Sequence, residues 1–440
     1  MKSKIVKLSK NNFVRNVLIM ISGTAAAQAV TMALSPVITR LYGPEAFGLV
    51  GVFIAIVGVF TPIAALTYPL AIVLPKNDRD AKGIIRLSLY ITTGISIFVA
   101  LIFLIFNQLI ARWFRIEDVA PYLYFIPIII LFSGFLQVVE QWLIRTKQFG
   151  ITAKVSFLHA LILQGSKVSL GFFHPVAVVL IILSALSEGL KAIMMIIYAR
   201  RSVYKSSIAI DEVPISIREL SGKYKDFPLF RAPEVFLYGI SQSLPVLLLT
   251  SFFGPASAGF YSICRTVLAM PSMLLGKSVG DVFYPRISEA ANNGENLTPL
   301  IKKATISLGI IGILPYGIIV AFGPWLFSFV FGSEWVTAGE YARWIALLSF
   351  FGFLNRPSVT SLPVLSAQAF QLKFTFLMLL SSVAALAIGY YLFSNDLAAI
   401  SFFGVTGAIL NICLILITLH KSKNFDNKNK SDKDCSQLKD

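Results

Sequence analysis

Charge is scarce in this sequence: Asp, Glu, Lys and Arg make up 14% of its 440 residues, where a soluble globular chain carries roughly a quarter. With 56% hydrophobic letters and a mean hydropathy of +0.76, that scarcity excludes an ordinary soluble enzyme and places the chain in a membrane. Cysteine is almost missing. Cys264, Cys413 and Cys435 stand far apart and give neither an even disulfide set nor a metal-ligand cluster. The three histidines, His159, His174 and His420, are scattered. No Gly-rich loop has the spacing of a nucleotide-phosphate cradle, so neither cofactor nor metal is expected. Long hydrophilic connections are also lacking: those around 107–121 and 328–341 are short. A membrane enzyme that joins sugars would carry a larger acidic or His-bearing loop there.

What is plentiful is apolar sequence. Crossing about 30 Å of hydrocarbon takes about 20 mostly apolar residues. Such stretches fall at 17–38, 47–73, 87–106, 122–144, 155–173, 176–198, 235–253, 258–283, 305–327, 344–365, 374–393 and 397–419. Twelve spans are therefore expected, with Pro62, Pro127, Pro245, Pro271, Pro315 and Pro363 placed to kink them. An even number puts both termini on one side. The net charge of +16 is distributed to match. Lys and Arg crowd the N-terminal arm, alternate connections such as 199–231, and the C-terminal tail, whereas the opposite connections hold only Arg40, Arg112, Arg115 and Arg343. By the positive-inside rule the basic side is cytoplasmic. The expected organisation is a basic cytoplasmic arm (1–16), six spans (17–198), a cytoplasmic connection (199–231), six more spans (232–419) and a disordered, Lys/Asn/Asp-rich cytoplasmic tail (420–440). Basicity of this origin calls for a lipid bilayer as partner, and no nucleic acid is expected.

The chain also repeats itself. After the first span it reads Tyr42-Gly43-Pro44-Glu45-Ala46-Phe47-Gly48, and after the seventh Phe253-Gly254-Pro255-Ala256-Ser257-Ala258-Gly259. Both are aromatic-Gly-Pro-x-x-x-Gly at the same place in the topology. Gly-Pro makes a tight turn between antiparallel helices, and the later Gly lets backbones approach. The fold class expected is an all-α polytopic membrane protein of two six-helix lobes in like orientation, related by an axis along the membrane normal, around a central cavity.

Ionisable groups inside spans cost at least about 2.5–3.5 kcal/mol each on insertion scales, so each is a candidate for function. They are Lys167, Lys191, Arg265, Lys277 and Arg356, with Glu140, Glu188, Glu234 and Asp281. Glu140 and Glu234 lie close to cytoplasmic helix ends and read as interfacial. Lys277 and Asp281 (i,i+4), and Glu188 and Lys191 (i,i+3), have spacings that permit either mutual neutralisation or a role toward substrate. Arg265 shares one face of the eighth span with Ser262, Ala269, Ser272, Gly276 and Gly280, and no acid lies within four residues of it. In the fifth span Ser156, His159 and Lys167 share a face, and Arg356 stands between Asn355 and Pro357 midway through the tenth. Snorkelling to a surface is the bland reading of these cations, but they sit well inside their spans. Cations from both halves lining a cavity favour an anionic solute, and Arg offers two-pronged geometry to phosphate oxygens. Asp281, Glu188 and His159 are the candidates for carrying a coupling ion, a proton or sodium.

One stretch has a more specific look. Tyr224-Lys225-Asp226-Phe227-Pro228-Leu229 is followed by Ser241-Gln242-Ser243-Leu244-Pro245, by Phe253-Gly254-Pro255 with Ala258-Gly259-Phe260-Tyr261, and by Arg265, Pro271 and Asp281-Val282-Phe283-Tyr284-Pro285-Arg286. This order, with Ser35-Pro36 and Arg40-Leu41-Tyr42-Gly43-Pro44 near the first span, resembles the bacterial polysaccharide and O-antigen flippases of the multidrug/oligosaccharidyl-lipid/polysaccharide exporter superfamily. The resemblance implies a MATE-like fold and no catalysis. It implies flipping of an undecaprenyl-diphosphate-linked oligosaccharide unit across the bacterial plasma membrane by alternating access, for O-antigen, capsule or exopolysaccharide, upstream of a polymerase and chain-length machinery. On that reading Arg265, Lys167 and Arg356 bind the diphosphate or an acidic sugar, with Lys277 and Lys191 as further cavity cations. The rivals are a drug/cation antiporter or a peptidoglycan-precursor flippase of the same superfamily and, from another class, a polysaccharide polymerase.

Overall fold

In hydrocarbon a backbone can satisfy its polar groups only within itself, so each long apolar stretch must become a helix. The computed structural model describes residues 12–114, 116–203 and 216–437, with side chains apart from those of 12–19, 21, 200–203, 273–282 and 428–437. Its helices are α1 (Asn12–Phe60), α2 (Asp78–Phe114), α3 (Ile126–Arg145), α4 (Phe149–Phe173), α5 (Ala177–Val203), α6 (Ile217–Lys223), α7 (Ala232–Phe253), α8 (Pro255–Asn292), α9 (Leu297–Phe331), α10 (Val336–Leu354), α11 (Arg356–Ser361), α12 (Gln368–Phe393) and α13 (Asp396–Gln437).

Among the described residues nine helices are long and apolar enough to cross a membrane. The first, Ser22–Ile63, takes in both of the first two expected spans, joined through a break at Gly43 (φ 67°, ψ 171°). The eighth expected span falls on α8, part of which lies outside the described side chains. The tenth falls on α10 and α11, which are interrupted at Asn355. Two connections also differ from expectation. The second span was expected to run to Val73, but α-helix stops at Phe60 and Tyr68–Val73 is a 3-10 turn, because Pro62 and Pro69 remove backbone donors and Leu66 and Thr67 take positive φ. The tail expected to be disordered from residue 420 instead continues α13 to Gln437. Tertiary contacts of Ser422 and Asp426, described below, hold this polar segment in place.

Polarity is inverted relative to a water-soluble bundle. On α2 the buried side includes Ser88, Thr92 and Ser96 beside Leu87, Val99 and Phe103, while Phe98, Leu104 and Ile105 are 63%, 66% and 70% exposed, as expected where lipid is the solvent. The small polar side seats α3 closely: Ser96 donates to the Pro127 carbonyl at 2.7 Å, and Thr92 packs against Gly134.

The chain's contacts divide it into two compact units, Met1–Ala258 and Gly259–Asp440. In the first, α7 lies on α1. Ser243 donates to the Ala55 carbonyl at 2.8 Å, and Gly239 sits against Gly58. The division thus falls one helix after the 199–231 connection at which the sequence suggested a lobe boundary. Within that connection α6 buries Leu220 among Ala71, Ile72, Ala81, Ile84 and Val138, and Tyr68 donates to the Ser221 carbonyl at 3.2 Å. Arg145 locks the turn before α2 by pairing with Asp78 at 2.9 Å and donating to the carbonyls of Ile72 and Pro75.

In the second unit α9 and α10 run antiparallel with Gly323 against Gly339, and α13 closes on α10 where Gly404 meets the Trp344 backbone and Asn355 donates to Asn411 at 3.0 Å. Cys264 of α8 donates to the Ala338 carbonyl at 2.8 Å. Buried and hydrogen-bonded, that thiol serves packing.

Candidate functional site

The two Gly-Pro turns share a conformation. Gly43 has φ 67° and ψ 171°, Gly254 has φ 92° and ψ 173°, a region open to glycine at no steric cost. In each the following proline opens a helical segment, where its missing N–H loses nothing. The turns also touch, since a Cβ built on Gly48 would come within 1.7 Å of the Pro255 carbonyl oxygen. Tyr42, the aromatic leading the first motif, lays its ring on Gly171 and donates its hydroxyl to the Lys167 carbonyl at 2.9 Å. The repeated turn thereby anchors the helix that carries Lys167.

A polar cluster runs through the middle of the first unit on α3, α4 and α5. Lys191 pairs with Glu140 across the helices at 2.9 Å, with the two side chains 25% and 32% exposed. The i,i+3 spacing had suggested Glu188 as its partner. The structure gives the ammonium to Glu140 instead, which sequence position alone had made interfacial. Glu188 stays within electrostatic reach of both, so two carboxylates stand around one lysine. His159 meets the carbonyl and hydroxyl of Ser187, both at 3.1 Å, and feels the charges of Lys191 and Lys167. Gln137 donates to the Thr61 carbonyl at 2.8 Å, and buried Gln164 reaches Thr31 at 3.4 Å. Lys167 is half-buried, and among the described residues no carboxylate pairs with its ammonium.

The second unit carries the other two. Arg265 of α8 is exposed and lies within electrostatic reach of Tyr261. Arg356 is exposed where α10 gives way to α11. Its field reaches the Tyr316 hydroxyl, which meets Ser272 at 3.3 Å and the Leu268 carbonyl at 3.3 Å. Ser272 belongs to the same α8 stripe as Arg265, so α8, α9 and the α10–α11 break form one polar neighbourhood, with Tyr316 linking them. Tyr316 was not singled out from sequence, although a lone Tyr beside Pro315 in an apolar span was a usable signal. The side chains of Lys277 and Asp281 lie outside the described residues. Glu234 pairs with Arg231 at 2.8 Å, exposed at the start of α7. Among the described residues no group of three or more His, Cys, Asp or Glu could hold a metal ion.

The sequence pattern of a family described as polysaccharide biosynthesis protein matches residues 37–340. No curated protein matches significantly. Among solved structures, the chain is similar to an inward-facing multidrug resistance MATE family transporter of the MOP superfamily: 14% identity, 93% of this chain and 99% of that one, TM-score 0.71. It is similar to the lipid II flippase MurJ in an inward closed conformation: 12% identity, 96% of this chain and 93% of that one, TM-score 0.71. At such identities the likeness establishes the fold, that of a MATE-like, all-helical, multi-span membrane protein.

Proposed function

The chain belongs to the polysaccharide biosynthesis protein family, and from that premise we propose that it flips a lipid-linked oligosaccharide. The cargo is an undecaprenyl-diphosphate-linked repeat unit, delivered across the bacterial plasma membrane by alternating access to a polymerase and chain-length machinery. The observation that carries this reading is the family match over 37–340 on a fold seen in transporters. The intramembrane cations support it. Moving a diphosphate through hydrocarbon alone is prohibitive, and Lys167, Arg265 and Arg356 offer it charge at depth, with Arg suited to grip two phosphate oxygens. Lys191 and Lys277 are further contacts. The polyprenyl chain stays in lipid. Alternating access moves two lobes, expected at 17–198 and 232–419, with α7 travelling with the first, on whose α1 it packs; both termini are cytoplasmic, and Glu188, His159 and Asp281 are the candidates for a coupling proton or sodium ion. O-antigen, capsule and exopolysaccharide units all fit this chemistry.

A drug/cation antiporter is the second reading, favoured by the MATE likeness. It is disfavoured by the first three expected spans, 17–38, 47–73 and 87–106, none of which holds a carboxylate for a coupling cation. Deletion of the gene separates the readings. A flippase leaves single lipid-linked units facing the cytoplasm, shielded from an impermeant glycosidase until the membrane is opened. Units that accumulate facing outward instead identify a polymerase, and normal surface polysaccharide in the deletion strain removes the flippase reading and leaves the antiporter.

A further inference from the structure

Where α12 begins and the apolar part of α13 ends, the second unit has a cavity of about 440 Å³. Its floor is apolar, from Leu365, Phe370 and Phe425, and its polar lining is Ser366, Asn424 and Lys421. The Lys421 ammonium stands 4.9 Å from the centre of the Phe370 ring, an arrangement that holds a cation in place over the cavity. Asn424 is steadied by His420 at 3.3 Å. Among the described residues no carboxylate lines the cavity. The nearest acid on α13, Asp426, faces away, with both oxygens engaged by the backbone N–H groups of Leu297 and Thr298 at 2.7 and 3.0 Å. Lys373, exposed, follows Ala369 by one helical turn on the same face of α12, adding a second positive charge.

The face of α12 that begins at this cavity continues with Leu372 and Phe376, 61% and 59% exposed. A cationic pocket thus opens onto an apolar strip along the same helix, at the end of the bundle that the positive-inside rule assigns to the cytoplasmic leaflet. A free phosphate would use the first part only, whereas an amphiphile uses both. We propose that this cavity seats the phosphate headgroup of an anionic phospholipid, with its acyl chains along Leu372 and Phe376. This site is separate from the intramembrane cations and does not depend on what the protein carries. Basic pockets at the cytoplasmic ends of spanning helices suit such headgroups through charge, each lysine near the surface being worth about a five-fold change in binding.

The test is native mass spectrometry of the full chain titrated with phosphatidylglycerol and phosphatidylcholine. The expected result is retained phosphatidylglycerol in preference to phosphatidylcholine. Lys421→Ala should weaken that preference about five-fold and Lys421→Arg should restore it. Lys423→Ala, which removes the same charge from the same helix outside the cavity, should weaken it clearly less. The proposal fails if Lys423→Ala acts as strongly as Lys421→Ala, which would mean diffuse attraction. It also fails if neither lipid is preferred, or if inorganic phosphate at equal concentration displaces the lipid, which would make this a free-anion site.

Discussion

At Gly48 a single missing methyl group decides how closely two helices meet. A Cβ there would overlap the Pro255 backbone, which cannot swing aside as a flexible side chain could. Gly48→Ala should therefore cost about 1–3 kcal/mol or more through overpacking, seen as a lower unfolding temperature of the purified protein. Gly94→Ala is the control: nothing lies within 4 Å of its Cβ, and alanine's helix preference should make it neutral or slightly stabilising. The Glu140–Lys191 pair gives a second residue-scale prediction. Glu140→Ala leaves Lys191 half-buried without its partner, at a cost of about 1–2 kcal/mol after allowing for its partial exposure. The double variant Glu140→Gln/Lys191→Met should recover part of that loss in a thermal-unfolding cycle, and additive effects would dissolve the pair. Residue positions such as Lys167 and Arg356 were legible from sequence because a charge in an apolar run is conspicuous. The choice of Glu140 over Glu188 was not, since it depends on how α3 and α5 are turned toward each other.

Elements were legible to the extent that hydropathy governs them. Most of the apolar runs became helices, and the two repeated Gly-Pro pairs, at 43–44 and 254–255, became turns. What hydropathy misses is a polar segment fixed by tertiary contacts. The stretch after residue 420 has the composition of a disordered tail, yet Asp426 caps the start of α9. It accepts from the N–H groups of Leu297 and Thr298 and from the Thr298 hydroxyl at 2.7 Å, and that hydroxyl also contacts Ser422 at 3.0 Å. A carboxylate on the orphan amides of a helix start is favoured by hydrogen bonding and by the helix dipole. Asp426→Ala should destabilise the protein by about 2 kcal/mol, and truncation at Lys421 by at least as much, with faster amide exchange over the first turn of α9 as the local signature. Unchanged exchange there would mean that the contact does not hold α9. The break at Asn355 falls on the polar Asn355-Arg356-Pro357, which hydropathy averaged over a whole span passes across because the flanking residues are apolar.

For the whole molecule, the family match and the fold agree on a multi-span membrane protein of polysaccharide biosynthesis. On the topology expected from the positive-inside rule, most of the net charge of +16 lies in the connections and termini, which leaves Lys167, Arg265 and Arg356 as the proposed contacts to an anionic cargo. The direct measurement is reconstitution of the purified chain into liposomes that hold an undecaprenyl-diphosphate-linked oligosaccharide, with an impermeant glycosidase reporting how fast inner-leaflet sugar becomes accessible. Flipping well above that of protein-free liposomes is expected, slowed about ten-fold or more by Lys167→Ala through loss of a charge-assisted contact to the diphosphate. Proteoliposomes that expose the sugar no faster than protein-free ones would contradict the account.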